Sequence, residues 1–331
     1  MTTPARILAL PASVALLSVT TLADAPEIQT LKNLKFASIE VPDSSITEAR
    51  GINSLGETVG FWQDEAGRGH GFLLSGGVYR SIDIPDAVLT VASDINDAGD
   101  IVGTYHEPAG PGELFGDSHG FLLSAADGQL TTITFPGQQV TWVTGINNHG
   151  QIVGGYSRWN GDQVLGVHGF ILAEGTFTRI DFPVPETPAH VPVTYAIRIN
   201  NAGDIVGGYN DDIYQTRRGF VLRDGLYTTF DVPGSGFTDL YAANNAGAIA
   251  GEYLDIDGQV YGFLFSPDRG FHRLAGTGNP KERITSLVPF GLNDSGQIAG
   301  SGVTASGSLN GFVAEPPTGW LSEPVLFSRV R

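Results

Sequence analysis

Short runs of alternating apolar and polar residues follow one another along the chain after residue 35. Each run is a few residues long and stops at glycine, asparagine, aspartate or proline, the residues that favour turns. No stretch has apolar residues at the 3.6-residue spacing of an amphipathic helix. The pattern therefore predicts an all-β protein built from many short strands.

These strands belong to a unit that occurs six times. Each copy contains the motif apolar-Asn-x-x-Gly-x-x-apolar-Gly, then a polar-Gly-Phe triplet and, in most copies, a segment ending in proline. The motif asparagines are Asn53, Asn96, Asn147, Asn200, Asn244 and Asn293. They lie 43, 51, 53, 44 and 49 residues apart, which is the length of a four-stranded propeller blade. The turn needs a left-handed residue, which its first glycine supplies without steric cost.

The two ends of the repeat array complement each other. Residues 36–42 have the pattern of a lone fourth strand, whereas the last unit, over residues 284–317, supplies only three strands. The chain is therefore predicted to form a six-bladed β-propeller with four-stranded blades, in which the N-terminal strand closes the last blade. Closure would remove the exposed sheet edges of an open array. The expected propeller covers residues 36–317, between a short extension at 24–35 and a tail at 318–331.

The first residues have the three-part pattern of a secretory signal peptide. One arginine, Arg6, precedes an apolar run over residues 7–22, and small residues follow it. The apolar run is shorter than the roughly 20 residues that span a bilayer. We expect residues 1–23 to be removed and the mature chain to be secreted, into the periplasm or the medium, without membrane insertion.

Charge and cysteine content narrow the possible partners and chemistry. The net charge is −17, from 18 Lys and Arg against 35 Asp and Glu, so the chain repels nucleic acid. It has no cysteine, which excludes disulfides, thiolate metal sites and thiol nucleophiles. We expect an acidic monomer that binds no nucleic acid.

The third copy carries a resemblance to a known family. Residues 145–156 read Gly-Ile-Asn-Asn-His-Gly-Gln-Ile-Val-Gly-Gly-Tyr, and His168-Gly169-Phe170 and an Ile-Asp-Phe-Pro segment follow. This order resembles the extracellular HAF repeat of bacterial exported proteins, over roughly residues 36–315. Copies five and six depart most, since Tyr261 and Asn310 replace the histidine. The resemblance implies secretion and a repeat fold, and it brings no catalytic residues with it.

Three long insertions give a hypothesis for the site. They occur in units two, three and four, and all fall on the face that carries the connections between strands two and three and between blades. Variable loops on a rigid scaffold often hold binding residues. The predicted ligand-binding residues are His106, Glu107, Glu113, Phe115, Asp117, Tyr156, Trp159, Asn160, Asp162, His190 and Tyr209. Aromatic rings beside carboxylates and amides suit a glycan, and tolerated sequence drift in surface loops is the alternative.

Metal binding has weak support. Asp255 and Asp257 offer oxygens at a spacing that suits calcium, but the full twelve-residue ligand loop is missing and Asp-Gly is also a common hairpin turn. The recurring histidines His70, His119 and His168 fall on outer strands of different blades, too far apart to share a zinc ion. We expect no cofactor, with calcium as the one possible exception.

The predicted function is that of a secreted, non-catalytic β-propeller recognition module that binds an extracellular glycan or surface ligand. One alternative is a hydrolase or lyase acting on an extracellular polysaccharide, with loop carboxylates as acid and base. Another is a structural protein of the surface or matrix. Whether the chain is an enzyme stays open, with the balance against it.

Overall fold

The structure, a computed structural model, describes residues 28–110, 116–160, 163–184, 191–211, 216–276, 286–304 and 307–320. Within these ranges every regular element is a β-strand, so the all-β prediction is confirmed. No helix in the described ranges is long and apolar enough to cross a membrane. The predicted signal peptide and the end of the tail lie outside the described residues.

The described residues form 25 strands. Before the first repeat come β1 (Gln29–Leu31) and β2 (Lys35–Ile39). Repeat one holds β3 (Ile46–Ile52), β4 (Thr58–Gln63), β5 (Gly69–Ser75) and β6 (Val78–Ile82). Repeat two holds β7 (Leu89–Ile95), β8 (Ile101–His106), β9 (Ser118–Leu123) and β10 (Leu130–Ile133). Repeat three holds β11 (Val140–Ile146), β12 (Ile152–Asn160), β13 (Gln163–Ala173) and β14 (Thr176–Ile180).

The second half continues in the same order. Repeat four holds β15 (Thr194–Ile199), β16 (Ile205–Asp211), β17 (Thr216–Arg223) and β18 (Leu226–Thr229). Repeat five holds β19 (Thr238–Ala243), β20 (Ile249–Leu254), β21 (Val260–Ser266) and β22 (Gly270–Leu274). Repeat six holds β23 (Ser286–Leu292), β24 (Ile298–Val303) and β25 (Leu309–Glu315).

Consecutive strands within each repeat pair antiparallel. Strand β2 pairs antiparallel with β25, so the N-terminal strand completes the last repeat. Strand β1 was not predicted: it pairs in parallel with β22 and covers the outer edge of repeat five. Single parallel bridges join β5 to β7 and β9 to β11, which merges repeats one to three into one 12-stranded sheet. The remaining sheets have five, four and four strands.

The recurring phenylalanine packs against the second motif glycine, and this contact accounts for the presence of both residues in each repeat. The phenylalanines are 0–1% exposed and are Phe72, Phe121, Phe170, Phe220, Phe263 and Phe312. At the second glycine of each motif, an added Cβ would lie 1.8–2.4 Å from a carbonyl oxygen of the first strand and against the phenylalanine ring. The close approach of strand and ring therefore excludes any side chain there.

The motif asparagine closes its own turn and reaches the next repeat. In repeat three, Asn147 Oδ1 accepts hydrogen bonds from the N–H groups of His149 and Gln151, both at 3.0 Å. Its Nδ2 donates to the carbonyl oxygen of Asn200 at 3.0 Å. The same inter-repeat bond occurs in all six copies, and the last one runs from Asn293 Nδ2 to Asn53 O at 2.9 Å. These hydrogen bonds thus form a complete circle, which we call the asparagine ring.

The glycine of the turn has the predicted conformation. The first motif glycine of every copy has a φ between 70° and 86°, a left-handed conformation that residues other than glycine rarely adopt. The asparagine ring and these turns mark one end of the first strand of each repeat. The opposite end, which we call the insertion end, carries the connections between strands two and three and between repeats.

Candidate functional site

The structure covers seven of the eleven predicted ligand-binding residues. Glu113, Phe115, Asp162 and His190 lie outside the described residues. Trp159 and Asn160 end strand β12, in register with Val164 and Gln163 of β13. Strands β12 and β13 form the longest hairpin among the described strands, and Val164 and Leu165 are exposed on it. The hairpin therefore extends the exposed surface at the insertion end of repeat three.

The connection after β8 holds three predicted residues together. His106 is half-buried, and burial lowers the pKa of its imidazole. Glu107 and Asp117 are exposed, and Glu107 N–H donates to Asp117 O at 2.9 Å. Glu107 Oε1 also lies 3.5 Å from His119 Nε2. These polar groups are accessible at the insertion end of repeat two, as the hypothesis requires.

Two of the predicted residues are core residues, so that part of the prediction is wrong. Tyr156 is 3% exposed and its ring stacks on Phe135 at 3.8 Å. Tyr209 is 5% exposed, stacks on Phe182 at 3.6 Å and shares a hydrogen bond with Thr229. In both cases the aromatic ring that covers the tyrosine follows the outer strand of the preceding repeat. A ligand at the surface cannot reach either ring.

The calcium candidates are engaged by other side chains. Asp255 pairs with the guanidinium of Arg273, and Asp257 Oδ2 accepts a hydrogen bond from the Tyr261 hydroxyl at 2.7 Å. Within the described residues, no group of three or more His, Asp or Glu side chains could hold a metal ion.

In repeats one to three the recurring histidine contacts a side chain in the segment after strand four. His70 Nδ1 lies 2.6 Å from Asp83 Oδ1, and His168 Nδ1 lies 2.8 Å from Asp181 Oδ1. In repeat four, Arg218 occupies the same position and pairs with Asp231 at 2.5 Å. The position thus links strand three to the segment after strand four, a structural role that does not need histidine.

A second group of residues, which the sequence reasoning missed, lies at the insertion end of the first strands. The positions five and three residues before each motif asparagine are partly exposed in most repeats, while their neighbours are buried. The first position holds Glu48, Val91, Trp142, Tyr195, Asp239 and Val288, and the second holds Arg50, Ser93, Thr144, Ile197, Tyr241 and Phe290. The six repeats place six different pairs of residues at equivalent points.

One arginine holds these strands together from within. Every first strand has a β-bulge at the residue three before its asparagine. The buried guanidinium of Arg198, in repeat four, donates hydrogen bonds to the bulge carbonyls of the other five repeats: Tyr241, Ser93, Thr144, Arg50 and Phe290, at 2.6–3.3 Å. It also pairs with Asp94 at 2.7 Å. Burial raises the pKa of the Asp94 carboxyl, against the effect of Arg198.

Small residues make room for this arginine. The position two before the asparagine is Gly51, Gly145, Ala242 or Gly291 in four of the other repeats, and in repeat two it is Asp94, the partner of Arg198. At Gly51 an added Cβ would lie 2.7 Å from Asp94 Cα. Beyond Arg198, on the side of the asparagine ring, a cavity of about 70 Å³ has room for a few water molecules. Partly exposed aromatic and acidic side chains lie on the other side of Arg198, at the insertion end.

Aromatic rings from neighbouring repeats meet there. The Trp142 and Tyr195 rings lie 6.3 Å apart, and the Tyr241 and Phe290 rings lie 5.6 Å apart. Trp142 lies over Gly155, where an added Cβ would be 2.5 Å from the indole. The guanidinium of Arg50 sits 5.2 Å from the Phe290 ring centre. These partly exposed rings offer flat apolar surfaces.

Acidic groups accompany the rings. Asp239 and Glu252 are cross-strand neighbours in register on β19 and β20. The Tyr241 hydroxyl donates to Glu252 Oε1 at 2.8 Å, and Arg217 Nη2 lies 2.8 Å from Asp239 Oδ2. Burial and the nearby Glu252 raise the pKa of Asp239 to about 6, although Arg217 opposes the shift. We call Glu48, Arg50, Trp142, Tyr195, Arg217, Asp239, Tyr241, Glu252 and Phe290 the hub cluster.

A sequence signal for the hub cluster exists. The motif asparagine and its two glycines are the same in all six copies, yet the two positions before them hold an acid, a base, aromatics and aliphatics. Variation next to a constant motif distinguishes residues with individual roles from those that build the scaffold.

Comparison with known proteins concerns the fold. No family profile matches the chain, and no curated protein sequence matches it. Among solved structures, AofleA from Arthrobotrys oligospora has a TM-score of 0.50 at 11% identity, over 87% of this chain and 89% of that chain. The fucose-specific lectin from Aleuria aurantia has a TM-score of 0.47 at 13% identity, over 88% and 100%. The β-propeller domain of the trilobed protease from Pyrococcus furiosus has 0.45 at 9%, over 88% and 100%. The chain has the fold of a β-propeller.

Proposed function

We propose that the protein is a carbohydrate-recognition propeller that binds a saccharide at the hub cluster. The observation that carries the proposal is the meeting of partly exposed Trp142, Tyr195 and Tyr241 with Asp239 and Glu252 at the insertion end. Flat aromatic rings suit the apolar faces of sugars, and carboxylates accept hydrogen bonds from hydroxyl groups. The extended hairpin of β12 and β13 and the polar connection after β8 add surface at the same end.

The proposal includes a closed ring of six four-stranded blades. The asparagine ring supports it, because its sixth bond returns from repeat six to repeat one. Arg198 supports it as well, since one guanidinium reaches all five other first strands. We further propose that the chain belongs to the HAF-repeat proteins and acts as an exported monomer that binds an extracellular glycan or surface component without a cofactor.

Binding to a polysaccharide and oligosaccharide panel tests the function. The panel includes fucosides, the ligand class of the Aleuria aurantia lectin, and is run with and without calcium. We expect binding that Trp142→Ala reduces at least tenfold, with an unchanged melting temperature. Trp62→Ala is the matched control, because Trp62 stacks on His70 away from the hub cluster. Loss of binding in Trp159→Ala would extend the site to the hairpin, and no binding by the wild type would reject the proposal.

Catalysis is the second candidate, and one observation favours it. Asp239 holds its proton to a pKa of about 6 beside the carboxylate of Glu252, the kind of unequal pair that acid–base catalysis uses. If the protein is a hydrolase or lyase, incubation with a bound polysaccharide releases reducing ends or unsaturated sugars, and Asp239→Asn abolishes the release. Binding without any release leaves recognition as the function.

A further inference from the structure

The hub cluster contains a buried carboxylate oxygen to which no described residue donates a hydrogen bond. Asp239 is 7% exposed, and its Oδ2 atom receives no hydrogen bond from the part of the chain that the structure describes. The Arg217 guanidinium approaches it to 2.8 Å without hydrogen-bond geometry, and half of that side chain is exposed. Arg217 packs instead over the Phe237 ring, at 5.1 Å. Buried acceptors normally have donors, so this oxygen has capacity for one.

The charges around Asp239 do not balance. In repeat one, Arg50 forms an ion pair with Glu48, with Nη2 and Oε2 2.6 Å apart, so the two charges cancel. Asp239 and Glu252 share Arg217, and among the described residues the Glu252 side chain accepts its hydrogen bond from the neutral Tyr241 hydroxyl. This part of the cluster therefore carries an excess negative charge when both acids are ionised. One added cation would neutralise it.

The surroundings of the two acids favour an organic cation. Tyr195 and Tyr241 lie beside the two acids, and Trp142, in the repeat before Tyr195, lies next to the Tyr195 ring. An ammonium group would therefore meet both carboxylates and ring faces. Aromatic faces attract cations, and the nearby Arg50 already uses Phe290 in this way. An anionic sugar would instead meet the acidic cluster of a chain with a net charge of −17.

We propose that the hub cluster selects saccharides with free amino groups, and that Asp239 and Glu252 bind the protonated amine in place of Arg217. The sugar ring then packs against Trp142 and Tyr195. This inference rests on the proposed saccharide recognition and names its ligand class. The exposed Arg217 side chain moves aside into solvent when the amine binds.

Binding of this kind depends on pH. The groups that face Asp239 are Glu252 on β20, Arg217 on β17, Tyr195 on β15 and Tyr241 on its own strand. Burial raises the pKa of Asp239 to about 6, and the amine needs the ionised form. Affinity for an amino sugar should therefore rise above pH 5 as Asp239 ionises and fall again once the sugar amine loses its proton, whereas affinity for a neutral sugar should not show this maximum.

Calorimetry with three oligosaccharides of equal length tests the inference: glucosamine, N-acetylglucosamine and a uronic acid oligomer. We expect the glucosamine oligomer to bind the protein at least tenfold more tightly than the other two at pH 7. Asp239→Asn and Glu252→Gln should each remove this preference, because they weaken binding of the glucosamine oligomer at least tenfold more than binding of the acetylated oligomer. Asp83→Asn, which makes the same charge change at an exposed carboxylate, should leave the preference intact.

The outcomes separate the two proposals. Equal binding of amine and acetylated oligomers, lost in Trp142→Ala, would overturn the amine selectivity and leave saccharide recognition standing. Binding of a lysine-rich peptide as tight as that of the glucosamine oligomer would overturn the saccharide part. No binding of any oligosaccharide would overturn both.

Discussion

The two ends of the first strands differ in how much the six repeats vary. At the turn end every repeat places an asparagine and a glycine that do the same work in the asparagine ring. At the insertion end the equivalent positions carry acids, bases, aromatics and aliphatics. Repetition therefore builds the scaffold, and departures from it hold the individual chemistry. Arg198 lies between the two ends. It occurs in one repeat only, yet its guanidinium donates hydrogen bonds to the first strands of the other five.

The largest effect is expected at Arg198. Arg198→Ala leaves Asp94 buried without its cation and five carbonyl groups without their donor. Breaking a buried pair in this way costs about 3–5 kcal/mol in the free energy of unfolding, which urea denaturation measures. Arg217→Ala, at a half-exposed ion pair, should cost less than about 1 kcal/mol. Equal costs would mean that Arg198 does not tie the repeats together.

The asparagine ring gives the next effect. Asn147→Ala removes two hydrogen bonds from backbone N–H groups of its turn, one to the Gln151 side chain and one to the Asn200 carbonyl, and should destabilise the protein by about 2–3 kcal/mol. The neighbouring Asn148 is exposed, with its side chain hydrogen-bonded to Asp97, so Asn148→Ala should cost about 1 kcal/mol or less. Urea denaturation of the two variants compares them directly, and a cost at Asn147 no greater than at Asn148 would contradict the structural role of the ring.

A smaller effect is expected at the turn glycine. Gly150 has a φ of 70° and open space around its Cα, so a substitution there meets backbone strain alone. Gly150→Val should lower the free energy of unfolding by about 1–3 kcal/mol. Gly150→Asn should cost less, because asparagine tolerates the left-handed region. Equal melting temperatures for wild type and Gly150→Val would contradict the turn conformation.

Features that all six repeats share could be predicted from the sequence, whereas contacts that occur once could not. Gly150 and Phe170 were predictable because six copies repeat the same local requirement, a left-handed turn and a buried ring. The burial of Tyr156 was not, since it depends on Phe135 from the preceding repeat. The parallel pairing of β1 with β22 depends on a free sheet edge far away in sequence. Long-range contacts made once leave no periodic signal.

The hub cluster was missed for a related reason. Whether residues such as Trp142 and Tyr195 meet depends on the bulge in each first strand and on the order of the repeats around Arg198. Strand periodicity alone places them on one side of a sheet and says nothing about the neighbouring repeat. The candidate site was therefore sought in the loops, of which the structure keeps His106, Glu107 and Asp117 as accessible or half-buried polar groups.

The smallest effect is a pH dependence of the free energy of unfolding, which Asp239 at the insertion end should cause. Its pKa rises from an ordinary 3.8 to about 6 on folding, so the folded state holds the proton more tightly. The stabilisation is complete below pH 3.8 and is lost as the pH rises through 6, with about 1 kcal/mol lost between pH 5 and pH 7. Urea denaturation at both pH values should show that Asp239→Asn lacks this loss, whereas Asp83→Asn keeps it. If wild type and Asp239→Asn lose stability equally, Asp239 is no more perturbed than an exposed acid, and the chemical contrast between the two ends of the strands disappears.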